Sequence, residues 1–71
     1  MENKIFYNVV NSRNELQAVQ ERLQELLKTV SAENQDQFNS KFFLLMALPN
    51  VKEAIAYCDK IIAQIPVEQQ S

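Results

Sequence analysis

The 71-residue sequence contains no glycine, no histidine and no tryptophan, with only one cysteine and two prolines. Each absence closes a class of chemistry. Phosphate-cradling loops, the dinucleotide fingerprint and the nucleophile elbow of serine hydrolases all need a backbone position that only glycine tolerates. Without histidine there is no side chain whose ordinary titration range straddles neutral pH, and the commonest metal ligand is missing. A single cysteine forms neither an internal disulfide nor a structural zinc site. Two-residue β-hairpin turns want Asn-Gly or Asp-Gly, and neither occurs. The longest apolar run, Phe42 to Leu48, is seven residues, far below the roughly 20 that a membrane-spanning helix requires.

What remains is suited to a folded helical chain. Apolar residues make up 46% of the sequence, enough for a core and too many for intrinsic disorder. Nine acidic residues against seven basic ones leave a net charge of -2, spread without clusters. Such a balance offers no footprint for nucleic acid or an anionic membrane surface. Asn and Gln together number 15, yet they interleave with apolar positions and form no low-complexity tract. A chain of this length has room for one domain, so residues 1–71 read as a single helical domain with a polar tail at 67–71. No signal-peptide core follows the first residues, and the lone thiol suits a reducing compartment, so a cytoplasmic location is expected.

Ser12-Arg13-Asn14-Glu15 has the form of a capping box. From it Leu16, Val19, Leu23, Leu26 and Val30 repeat at spacings of three and four, widened by Leu27, with Gln17, Glu21, Gln24, Glu25 and Lys28 opposite. A first helix is therefore expected at 12–30. The same heptad runs back through Val9 and Ile5, which suggests an N-terminal helical extension. The segment Ile5 to Val10 is also rich in aromatic and β-branched residues, so a strand is the alternative there. Ser31 to Gln37 reads as a loop, with Asp36 as the cap of a second helix at 37–48. Pro49 is expected to end that helix, and Asn50 to cap a third at 51–65, the alternative being a single Pro-kinked helix from about Gln37 to Ile65. Its narrow apolar face is Val51, Ala54, Ile55, Cys58, Ile61, Ile62 and Ile65. The fold class is thus all-α: an antiparallel helical hairpin or a small three-helix bundle.

The second helix supplies the functional expectation. Phe38, Phe42, Leu45 and Met46 share one face, while Phe43, Leu44, Ala47 and Leu48 fall on its other sides, so its second half is apolar nearly all round. A core this small supplies only about 3–5 kcal/mol, and short chains commonly close the deficit by oligomerising. The surplus apolar face is expected to bind another protein or a second copy. Phe43, Leu44, Ala47 and Leu48 are the candidate partner-binding residues, with Phe6 and Tyr7 covering or extending the patch. In size and layout the chain resembles small bacterial co-chaperones and regulatory adaptors, a resemblance of shape that transfers no residue roles.

Other candidates are weaker. Cys58 lies on an inner helical stripe and reads as a small buried hydrophobe rather than a reactive thiol. Glu21 and Glu25 are one turn apart, but they sit on a polar face and lack the histidine partners of a di-metal site. The cluster of Phe38, Phe42, Phe43 and Met46 suits core or interface better than a ligand pocket. No catalytic residue, cofactor or metal is expected. The alternative function is a helix-turn-helix regulator turning at Pro49-Asn50. Its recognition helix would offer only Lys52 and Lys60 to phosphate, offset by Glu53 and Asp59.

Overall fold

The computed structural model describes residues 3–70 and is all-helical, with two helices packed against each other. Helix α1 spans Asn3–Thr29, helix α2 spans Gln35–Gln64, and a 3-10 turn covers Val67–Gln69. The strand alternative for Ile5 to Val10 does not hold: that segment is the opening of α1. Ser12 lies in the middle of the helix rather than at its start. Helical residues precede it, so its amide and those after it have carbonyl partners one turn back and no cap is called for.

The loop is shorter than expected, because α2 starts earlier. Asn34, not Asp36, is the N-cap: its backbone is extended (φ -136, ψ 174) and its side-chain oxygen accepts from the Gln37 amide at 2.9 Å. Gln37 completes the arrangement. Its Oε1 accepts from the Glu33 amide at 3.0 Å and from the Ser31 hydroxyl at 2.8 Å, so one side chain gathers the loop. Asp36 falls in the first turn, where its charge suits the positive end of the helix dipole.

Pro49 does not end a helix. Helix α2 runs through it without interruption, so the expected third helix at 51–65 is the second half of α2. An interior proline removes one backbone hydrogen bond and crowds the preceding turn, at a cost of about 3 kcal/mol. Packing outweighs that cost, because the inward stripe Leu44, Leu48, Val51, Ile55, Cys58, Ile62 keeps its spacing of three and four across Pro49. A break would throw its two parts out of phase. The only two buried apolar residues among those described, Leu48 (8% exposed) and Ile55 (7%), lie on either side of it. Asn50 is not a cap either: its Nδ2 donates to the Met46 carbonyl at 3.3 Å.

Beyond α2, Ile65 caps the helix through its amide to the Ile62 carbonyl. The polar tail is folded from 67 to 69 into the 3-10 turn, and Gln70 Nε2 donates to the Ile65 carbonyl at 3.0 Å; Ser71 lies outside the described residues. The whole is a rod of 54 × 14 × 14 Å with a radius of gyration of 16.3 Å. A compact chain of this length would have a radius of about 11 Å. Two helices make one seam and no enclosed core.

Candidate functional site

Which face of α2 meets α1 decides what is left outside. Of the residues expected to bind a partner, Leu44 and Leu48 belong to the inward stripe of α2 and Ala47 stands at its edge. Leu48 is buried and the other two are half-buried. Leu44 and Leu48 are therefore committed to the helix pair itself, while Ala47 lines the groove beside it. The residues read as sharing one face, as core or interface, are in solvent: Phe38 is 56% exposed, Phe42 50%, Leu45 53% and Met46 58%. Phe43 is exposed as expected, at 66%.

The exchange has a traceable cause. Read alone, the segment from Phe38 to Leu48 is apolar all round, and its aromatic face looks like the better core. Read back from Ile55 across Pro49, the heptad spacing selects Leu48 and Leu44. The continuous seam wins because it extends over both halves of the helix.

Phe42 and Phe43 meet edge to face, with ring centroids 5.9 Å apart and planes at 71°. Neighbours in sequence point 100° apart on a helix, so the pair wraps aromatic surface around the outer side rather than adding depth. From Gln37 to Val51 the only charged residue is Lys41, which is half-buried. Two shallow apolar grooves flank this part of α2. One, of about 480 Å³, is lined by Leu26, Val30, Ser40, Phe43, Leu44 and Ala47. The other, of about 150 Å³, lies between Ala32, Phe38, Lys41, Phe42 and Leu45. Both open at the loop end.

Phe6 and Tyr7 do not join this surface. They form their own edge-to-face pair at 5.5 Å near the start of α1, with Phe6 half-buried and Tyr7 49% exposed. Arg13 donates to the Asp59 carboxylate at 3.0 Å, which sets the early part of α1 beside the late part of α2. The groove sets Leu26 beside Phe43. The nineteen residues from Tyr7 to Leu26 span roughly 28 Å of helix, so the two aromatic pairs lie toward opposite ends of the rod.

The remaining candidates fall where their spacing put them, or close to it. Cys58 is half-buried on the inward stripe. Glu21 and Glu25 are exposed. Leu26, counted in the seam, is 49% exposed, because the face of α1 toward α2 is turned to Leu16, Gln20, Leu23 and Leu27. Among the described residues there is no group of three or more Cys, Asp or Glu able to hold a metal ion. No helix of the described residues is long and apolar enough to cross a membrane. The Pro49-Asn50 turn of the helix-turn-helix reading is helical. Compared with protein-family models, curated proteins and solved structures, the chain shows no match.

Proposed function

We propose that the chain is a small, non-enzymatic protein-protein interaction module, an antiparallel helical hairpin of the adaptor, co-chaperone or regulatory-inhibitor kind. It binds through the outer apolar face of the first half of α2. The observation that carries this reading is the combination of five large apolar side chains, each at least half exposed, with a stretch of helix holding a single charge. Contiguous exposed apolar surface on this scale is uncommon in a monomer and is characteristic of interfaces. Aromatic residues and methionine are the side chains enriched at such interfaces, because they bury large area at small entropic cost.

The mode of recognition is helix against groove: Phe38, Phe42 and Met46 as anchors at helical spacing, seated in an apolar partner surface. The partner's chemistry is accordingly apolar, with no requirement for charge. Compared with the expected set, Phe43 is retained, Phe38, Phe42, Leu45 and Met46 are added, and Leu44 and Leu48 act indirectly by holding α2 against α1.

Cross-linking in the native host, with the wild-type chain and the Phe42→Asp/Met46→Asp variant as baits, tests the reading. The expected result is a specific adduct that the variant loses while its circular dichroism stays helical. Equal capture by both chains would sink it.

A further inference from the structure

The seam between α1 and α2 leaves two flanks, and they differ in chemistry. On one flank, a row at seven-residue spacing along α1 is Ile5, Ser12, Val19, Leu26. Its counterpart on α2 is Ser40, Ala47, Ala54, Ile61. Residues seven apart share a helix face, so each row is a strip lying beside the seam. The groove shared by Leu26, Ser40, Phe43 and Ala47 shows that the two strips adjoin at the loop end. The only charges set between the residues of these strips are Glu15 and Arg22 on α1, which are of opposite sign. On the other flank, α1 presents Arg13, Gln17 and Gln24, and α2 the row Phe38, Leu45, Lys52, Asp59, closed by the Arg13–Asp59 ion pair.

We infer that a second copy of this chain seats on the first of these flanks, pairing two hairpins into a symmetric four-helix dimer. This surface is distinct from the outer α2 face proposed above for a partner protein, and Phe43 lies at their border. Area is the first argument. One chain exposes 5371 Å², whereas a compact globule of its mass would expose about 4,500 Å². Two free chains together exceed a compact globule of twice the mass by about 3,200 Å². Permanent homodimers bury 2,000 to 5,000 Å², so one further copy removes the excess.

Shape is the second argument. A two-fold interface uses the same patch on both chains, so the patch must complement itself. This flank carries both halves of that requirement. Ile5, Val19, Leu26 and Ile61 project, at 63% exposure for Ile5, 49% for Leu26 and 44% for Ile61. Ser12, Ser40, Ala47 and Ala54 leave space between them. Knobs from one copy have gaps to enter on the other, at the spacing that four-helix bundles use. Charge is the third. A patch with no net sign does not select an oppositely charged partner, and it does not repel its own copy.

The test is the solution mass of the purified full chain across a hundredfold range of concentration, with thermal unfolding recorded alongside. A mass near twice the 8.2 kDa of one chain is expected, with a Tm that rises with concentration, as it must for a folded state linked to association. Leu26→Asp with Ile61→Asp should weaken the dimer about a hundredfold or more, since both carboxylates would be buried unpaired. Phe42→Asp, on the outer face, should leave the mass unchanged. A mass of 8.2 kDa with a concentration-independent Tm overturns the dimer while leaving the outer-face reading standing. A dimer indifferent to the Leu26/Ile61 pair but broken by Phe42→Asp also overturns it, since the second copy would then occupy the outer face.

Discussion

From Phe38 to Met46 the outward side of α2 carries Phe38, Phe42, Phe43, Leu45 and Met46 and no exposed charge; from Asn50 to Gln64 it carries Lys52, Glu53, Tyr57 and Lys60. In that second half even the exposed aromatic is engaged by charge, with Lys60 Nζ 5.1 Å from the Tyr57 ring centroid. Yet both halves pack on α1 through the same seam, and each contributes one buried residue, Leu48 and Ile55. Folding against α1 therefore asks the same of both halves. The apolar outer surface of the first half is not required to make the helix pair, and its existence needs another explanation. That is why the functional reading rests on it.

The comparison can be broken at the seam. Leu48→Ala and Ile55→Ala should each cost about 2–5 kcal/mol, because each leaves a cavity in a seam with little to collapse into it. Urea unfolding of the two variants should give similar losses; a large inequality would show that one half carries the fold alone. Pro49→Ala should add up to about 3 kcal/mol, by restoring one backbone hydrogen bond and removing the ring from the preceding turn. A higher Tm and slower amide exchange around Leu45 and Met46 would register it. An unchanged Tm would mean that the seam has already absorbed the distortion.

Smaller effects sharpen the contrast. Arg13→Ala removes the one ion pair found among the described residues, which ties the second half of α2 to α1. With the two side chains 34% and 52% exposed, solvent screening limits its worth to about 0.2–1 kcal/mol, shrinking further in high salt. Phe42→Ser with Met46→Ser, on the outer face of the first half, should change the stability of the isolated chain by no more than about 0.5 kcal/mol per site. A loss of several kcal/mol would place those side chains in the fold and withdraw the contrast between the halves.

The helical class was legible because absent glycine and repeating apolar spacing point the same way. The inward face of the late part of α2 was legible too, from Val51 to Ile65, since polar and apolar residues alternate cleanly there; only Ile61 moved outward. Between Phe38 and Leu48 that contrast vanishes, and periodicity within an all-apolar stretch has no preferred face. Only continuity with Ile55 resolves it, and Pro49 hid that continuity by resembling a stop. The Ser12 capping box failed for a related reason: a local signal for helix entry has no force where helical residues already precede it. Asn34 was missed because its partner, Gln37, was read as loop.

The described chain contains no residue with a positive φ. Helices and the connection between them are built from conformations open to any L-amino acid, so no position is reserved for a residue with special torsional freedom. A complete alanine scan of this molecule would therefore read almost pure side-chain information, free of the backbone penalties that usually cloud such scans at turns. Pro49 and Pro66 would be the exceptions, the two places where alanine reports on the main chain.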